Sequence, residues 1–454
     1  MYSLNPFDNN QEKSKILSSF NGDITSTYTV KQGADTKKGL RNADGTGVLI
    51  GTTAIGSVQG YTIDDGERVP AEGQLYYRGI NVLDIIKAHR ESNTFGYEEV
   101  AYLLLFGELP NKQDFEHFKE VIAAARSMPM GFNEDVLLRA PSKNIMNQLS
   151  RGVEALYSFD PDADDTSAEN MMRQSVDLVA RFPLIVANAY AVMRHHYMNK
   201  SLYLHNPKPR LSLSENFLRM VRPDKSYTDE EAKLLDIMLM LHAEHGGGNN
   251  SAFVCRTVSS TGTDTYSAVA AAVNSLKGPL HGGANAKVME MIRLIKEELP
   301  DYTDKAKLKA HLEKMLDGTV GDHSGKIYGL GHAVYTKSDP RACAIRECAV
   351  SLAKTNGRLD ELQLLENIEE IGCPLIVERK NLPLPICANV DLYSGFVYDM
   401  LGIPETLYTP LFAIARVAGW CAHRMEEVIS CKRIIRPAYR AAIKKIPYTP
   451  QEDR

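Results

Sequence analysis

Four short stretches of this chain set a histidine or an aspartate among small or amide residues: His242-Ala243-Glu244-His245-Gly246, Gly278-Pro279-Leu280-His281-Gly282, Gly329-Leu330-Gly331-His332-Ala333 and Asn389-Val390-Asp391. Such neighbours let backbone amides come close to a ligand. Arg341, Arg416 and Arg436 lie nearby in sequence as partners for carboxylates. Imidazole, carboxylate and guanidinium together suit acid/base work on a small polyanion.

Each of these residues also has a plainer reading. His245 is open to being a helix-end histidine, since a donating or positive group is favourable there in its own right. His242 and His245 with Glu244 suggest a metal site, but the metalloprotease pattern needs histidines four apart with the glutamate directly after the first. Here the spacing is three, and no metal is expected. His281 precedes Gly282-Gly283 and a helix start, where free N–H groups bond a ring or an anion and favour the uncharged imidazole; a simple capping role is the alternative. His332 reads equally as a loop residue without a task, and Asp391 as the cap of the next helix. Arg416 sits among Ala413, Ile414, Ala415, Val417, Ala418 and Gly419. A guanidinium in that company is costly unless a carboxylate pairs with it, so it is a ligand contact or a structural ion-pair partner. Arg436-Pro437 closes a basic stretch from Lys432, for which a solvated surface is the default.

The elements that position these groups are mostly helical. Thr228-Asp229-Glu230-Glu231 is a capping box, followed by Leu234, Leu235, Ile237, Met238 and Leu241 in a helix apolar nearly all round. If that helix reaches His242 and His245, the two share its inner face. Ser267 to Leu276 is rich in Ala, Ser and Val. After His281, Val288, Met291, Ile292, Ile295 and Leu299 form one stripe, ended by Pro300. Thr409-Pro410 reads as an N-cap with proline at the first helical position, opening a helix through Phe412, Arg416, Trp420 and Met425. Only Gly47 to Tyr77 alternates in a strand-like way, through Val48, Ile50, Thr52 and Tyr61 to the Asp64-Asp65-Gly66 turn. The fold class expected is all-α with a minor β element near the N-terminus.

With 454 residues, 44% of them apolar and 24% charged, the chain is long enough for two or three domains of ordinary globular composition. A net charge of −5 gives no basic field, so nucleic acid is not an expected partner. Seven cysteines, an odd number without a CxxC pair, read as reduced thiols of a cytoplasmic protein. The first twenty residues lack an apolar core or an Arg-rich pattern, so neither signal nor transit peptide is expected. The longest apolar run, Phe182 to Met193, falls short of the roughly 20 residues a membrane span needs, and no membrane partner is expected.

Taken together, Leu241 to Ser251, Leu276 to Asn285, Gly329 to Tyr335 with Asp339-Pro340-Arg341, and Asn389-Val390-Asp391 closely resemble the motifs of the citrate synthase family in wording, order and interval. Tyr77-Arg78-Gly79-Ile80 and the run from Tyr97 to Pro110 look like the family's N-terminal signatures. The likeness extends from about Gly66 to Pro437 and leaves the first forty or so residues unexplained. It implies a multihelical homodimer with a large domain, 46–282 and 393–454, a small mobile domain, 283–392, and an N-terminal extension, 1–45, of unknown role. It implies condensation of acetyl-CoA with oxaloacetate to citrate, acetyl-CoA being a cosubstrate and no cofactor being bound permanently. By the same resemblance Asp391 takes a proton from the acetyl methyl, His281 stabilises the enol oxygen and His332 polarises the ketone. His245, Arg341 and Arg416 hold the carboxylates, and Arg436 completes the clamp from the partner subunit. Coenzyme A would lie against Gly329, Leu330, Gly331 and Asn389. Many bacterial relatives have arginine where this chain has Ala333, which leaves Lys337 as a candidate for the phosphates. Two rival functions remain, a 2-methylcitrate synthase using propionyl-CoA and a silent dicarboxylate or CoA sensor; one extra methyl in an apolar pocket is worth only about 1–3 kcal/mol. A metal-dependent hydrolase is a third.

Overall fold

The structure, a computed structural model, describes residues 28–453 apart from Gln32, Ala34 and Ala43. The expected N-terminal extension therefore falls mostly outside the described residues. Two units are distinguished: one from the described residues up to Gly51 together with Arg436 onward, the other Thr52–Ile435. In the first, Arg41 and Gly47 form an isolated bridge and Arg440 pairs with Asp35 at 2.7 Å.

Within Thr52–Ile435 helices dominate, and they start where the sequence supplies acceptors. Thr228 and Glu231 exchange side-chain and backbone hydrogen bonds at the head of helix Asp229–His242, the capping box read from the sequence. Leu234, Leu235, Met238 and Leu241 are buried along it, each contributing about 1.5–3 kcal/mol. The helix stops at His242, so His245 lies beyond it in a turn and not on its inner face. Helix Tyr408–Glu426 starts earlier than Thr409-Pro410 suggests. A 3-10 turn, Glu405–Leu407, feeds it, and the Thr409 hydroxyl donates to the Gly282 carbonyl at 2.7 Å instead of capping. Helix Ala168–Met198, which contains Phe182 to Met193, is long and apolar enough to span a membrane by length and composition. Its most apolar stretch is 78% buried inside the protein, so those side chains face other helices. Phe182 meets Trp420 at 6.5 Å.

The β element is a three-stranded antiparallel sheet, β1 Gly56–Asp64, β2 Glu67–Tyr77 and β3 Ile80–Asn81. Asp65 and Gly66 have φ of 48° and 81°, the positive pair a tight two-residue hairpin turn requires. Val48, Ile50 and Thr52 lie outside the sheet, whose first strand begins only at Gly56. The buried Tyr77 hydroxyl donates to the Met240 carbonyl at 2.9 Å and ties the sheet to the end of helix Asp229–His242.

Candidate active site

Arg416, on helix Tyr408–Glu426, is fully buried. Its Nε donates to the His242 carbonyl at 2.6 Å and its guanidinium lies over the Phe412 ring at 4.7 Å. Nη1 and Nη2 have no partner among the described residues, so a planar fork of donors is left aimed at something else. Burial pulls its pKa down to about 10, with Glu244 and Tyr77 holding it up and Arg341 lowering it. It is charged at neutral pH and only partly compensated. His245, also buried, has an unpartnered Nε2. Burial first, then Arg341, His332 and Arg416, push its pKa well below the usual value, so the ring is neutral.

His332 sits in the loop between a glycine turn and helix Pro340–Thr355. Gly329 and Gly331 have φ of 83° and 90°, and a Cβ on Gly329 would lie 2.9 Å from the Leu392 side chain. The turn is fastened to 387–389: Leu330 bridges Ala388, Gly331 N donates to the Cys387 carbonyl at 2.8 Å, and the Asn389 amide donates to the Gly331 carbonyl at 3.0 Å. His332 Nδ1 then accepts from the backbone N–H of Val334 and of Tyr335, both at 3.1 Å. In a neutral ring the hydrogen is therefore on Nε2, which becomes the donor. Tyr335 stacks on His332 at 4.6 Å and 29°, and His245 meets both rings edge-on at 5.1 and 5.6 Å. Arg341, buried at the head of the next helix, is gripped by Asp339 through Nε at 3.0 Å and Nη2 at 2.7 Å. Burial opposes its charge, and Asp339 more than restores it.

Asp391 is the first residue of helix Asp391–Met400. It does not cap that helix; its own N–H is taken by Asn389 Oδ1 at 3.0 Å. Burial, opposed by Arg341 and aided by Asp339, raises its pKa to about 6. His281 follows helix Thr265–Lys277, and a Cβ on the next residue, Gly282, would sit 2.2 Å from the Leu276 carbonyl. The amide on the His281 ring comes not from the helix that follows it but from the start of helix Asn250–Ser259, where Ser251 N donates to Nε2 at 3.3 Å. Nδ1 therefore carries the hydrogen. Burial and then Arg416 lower the His281 pKa to about 4. Ser251 Oγ lies 3.1 Å from the same Nε2 and accepts from Trp420 Nε1 at 3.1 Å.

Behind these groups runs a buried polar chain that spacing did not reveal. Arg256 donates to His423 Nδ1 at 2.7 Å, which leaves Nε2–H for Glu244 Oε1 at 2.8 Å. Glu427 accepts from Arg256 at 2.9 Å. Burial raises the Glu244 carboxyl, and His423, Arg416 and the Gly246 N–H together bring it below its usual value. Tyr335, Asp339 and Ser251 stand inside the motif stretches but were given no role; only Asp339, two residues before Arg341, carried a local signal of its task.

Arg416 thus faces His245 and His281 electrostatically, while Arg341 faces His245 and Asp391. Lys337 lies exposed on the His332 loop and Leu330 is half-buried at its turn. Arg436 belongs to the other unit and is exposed there. All seven cysteines are free thiols.

Guanidinium nitrogens unpaired among the described residues, beside neutral histidines and a raised carboxyl, are the equipment of an enzyme that grips a small carboxylate and moves protons. Similarity to known proteins narrows this class. The family model for the C-terminal domain of citrate synthase matches residues 43–438. Citrate synthase of Deinococcus radiodurans is 36% identical over 370 residues, covering 81% of this chain and 89% of that protein. The 2-methylcitrate synthase of Shewanella oneidensis is 33% identical over 407 residues, covering 89% and 95%. Among solved structures, citrate synthase of Thermoplasma acidophilum in complex with carboxymethyl coenzyme A and oxaloacetate superposes with a TM-score of 0.75 at 27% identity, covering 94% of this chain and 100% of that one. Citrate synthase of Pyrobaculum aerophilum gives 0.74 at 29% identity, covering 95% and 99%. The chain belongs to the citrate synthase family, which comprises transferases acting on acetyl-CoA and oxaloacetate.

Proposed function

We propose that this chain condenses acetyl-CoA, oxaloacetate and water to citrate and free coenzyme A, with Asp391 as base. The observation that carries this reading is the opposite tuning of two groups: a carboxyl at about 6 and an imidazole at about 4. At neutral pH the first is an anion able to accept a proton, and the second is a neutral donor. A thioester α-proton is weakly acidic, so its removal needs the enolate oxygen to be stabilised at the same moment. Asp391 takes the methyl proton, and His281 donates from Nδ1 to the thioester oxygen.

The enol carbon attacks the ketone carbon of oxaloacetate, whose oxygen is polarised by His332 Nε2–H. Arg416, Arg341 and His245 hold the carboxylates, Arg416 through the two nitrogens that lack a partner among the described residues. The new C–C bond forms as the C=O π bond breaks, the oxygen takes its proton from His332 Nε2, and the product is a citryl thioester. Water then cleaves its C–S bond, and coenzyme A leaves as the thiol.

His245, His281 and Arg416 lie in 46–282 and 393–454, whereas His332, Arg341 and Asp391 lie in 283–392. Closure of the smaller segment over oxaloacetate would complete the site and exclude water during proton transfer. Coenzyme A would run along Gly329, Leu330, Gly331 and Asn389, with Lys337 exposed beside the turn for a phosphate. In this reading the working unit is a homodimer, Arg436 reaching the partner's oxaloacetate, and the free thiols suit the cytoplasm.

The similarity to a 2-methylcitrate synthase supports a second reading in which propionyl-CoA is the acyl donor. Release of coenzyme A thiol with oxaloacetate, measured side by side for the two thioesters, decides between them. Faster turnover of acetyl-CoA is expected. Faster turnover of propionyl-CoA establishes the second reading, and no release from either thioester removes both.

A further inference from the structure

The hairpin β1–β2 is interrupted at one place, and that place touches the His332 loop. Pairing runs from Gly56 with Tyr77 to Gln59 with Gln74, then resumes at Tyr61 with Pro70, leaving Gly60 on one strand opposite Ala71, Glu72 and Gly73 on the other. A bulge of this kind releases backbone groups from the ladder and bends the strand locally. Gly60, Ala71 and Gly73 each present a backbone group to the loop, and Glu72 its carboxylate. The Thr336 hydroxyl donates to the Gly60 carbonyl and lies 3.3 Å from that of Ala71; Gly73 N donates to Ser338 Oγ at 3.1 Å; and Ser338 in turn donates to the Glu72 carboxylate.

The approach is so close that side chains are excluded. A Cβ on Gly60 would lie 2.5 Å from Tyr335 Cα and 2.6 Å from the Val334 carbonyl, and one on Gly73 would lie 2.2 Å from the Ser338 carbonyl. These are backbone atoms, which cannot swing aside as the end of a flexible side chain does. The same Val334 and Tyr335 supply both N–H groups that fix the His332 ring. Thr336 is buried at 3% exposure, so its hydroxyl has no water to fall back on.

We infer that the bulge at Gly60 and Ala71–Gly73 is a positioning device for the proposed reaction, pressing the 334–338 backbone into the one path that aims His332 Nε2–H and Arg341 at the substrate. Gly60, Gly73 and Thr336 act through His332 and touch no reacting atom. The inference rests on the reading of His332 given above. The small sheet, on this account, is the rear wall of the site.

The test uses Thr336→Val, which keeps shape and removes the donor, with Thr336→Ser and Gly60→Ala beside it. Gly66→Ala is the comparator: at φ 81° with open space around it, it strains the hairpin turn without touching the loop. Thr336→Val and Gly60→Ala should lower kcat about 10- to 100-fold, the size of effect a misplacement of about 1 Å produces. Thr336→Ser should stay within about threefold of the parent, since it retains the hydroxyl. Gly66→Ala should lower Tm at least as much as Thr336→Val yet keep kcat. Unchanged kcat in both Thr336→Val and Gly60→Ala overturns the inference, as does a loss in Gly66→Ala that matches theirs. Failure of the proposed function is seen separately, as absence of thiol release from the unsubstituted protein.

Discussion

Arg416 gives its Nε to the carbonyl of His242 at 2.6 Å, and this single bond fixes the plane of a guanidinium whose other two nitrogens meet no acceptor among the described residues. His242 is itself anchored, its Nδ1 lying 2.6 Å from the Met238 carbonyl. The end of one helix therefore orients a charge carried by another. The fork is held rigid before any ligand arrives, so the proposed binding of a carboxylate would cost little entropy.

Arg416→Leu should raise the oxaloacetate KM about 10- to 100-fold, the loss expected for charge-assisted hydrogen bonds. The ligand-free protein should unfold at a similar or higher temperature, because a desolvated charge has been removed. Thermal unfolding with and without oxaloacetate separates the two effects. A variant that unfolds early but keeps the full ligand-induced stabilisation would mean that Arg416 is a structural residue.

On the proposed mechanism Asp391 sets the pH dependence. With its carboxyl at about 6 and His281 at about 4, kcat/KM should rise as pH passes through about 6 and then level off. Asp391→Asn should lower turnover by about 10²–10⁴ or more and abolish that limb. Stability should move the other way. Between the ordinary carboxyl value of 3.8 and about 6 the folded state binds more protons than the unfolded one, so wild-type stability falls as pH rises through this window. The Asn variant lacks that fall and should be more stable at pH 8, by at most about 2–3 kcal/mol, with no such difference below about pH 4. Unfolding curves at pH 4, 6 and 8 check the sign; an Asn variant less stable at pH 8 would contradict the assignment.

What could be read in the sequence is what is written locally. The capping box of Thr228 and Glu231 involves residues three apart, and the Asp65-Gly66 turn needs only its own backbone angles. The histidine motifs were legible through the resemblance, and Arg416 through its apolar neighbours. The remainder depends on contacts that no window contains. His423 and Glu244 are 179 positions apart, and Thr336 lies 276 from the carbonyl of Gly60. Nothing near Tyr335 announces that it will stack on His332, and the bulge exists only relative to a loop that arrives much later in the chain. The start of helix Tyr408–Glu426 was misread for the same reason: Thr409 has the chemistry of a cap, but its hydroxyl is spent on Gly282.

The proposed sharing of sites between subunits has a test that does not depend on any of these distances. Arg436→Ala and His281→Ala should each be nearly inactive as separate preparations. In a heterodimer of the two, one site receives both defects and the other neither, because a two-fold interface exchanges equivalent groups. Mixing should therefore restore activity, up to about half of the parent value per heterodimer on this counting. Subunit exchange is followed independently by mass, so that a silent mixture is not mistaken for one that never exchanged. Recovery in step with the heterodimer fraction is expected if Arg436 serves the partner's oxaloacetate. Confirmed exchange without recovery would assign Arg436 to its own subunit's site or to none, and the clamp on oxaloacetate would then consist of Arg341, Arg416 and His245 alone.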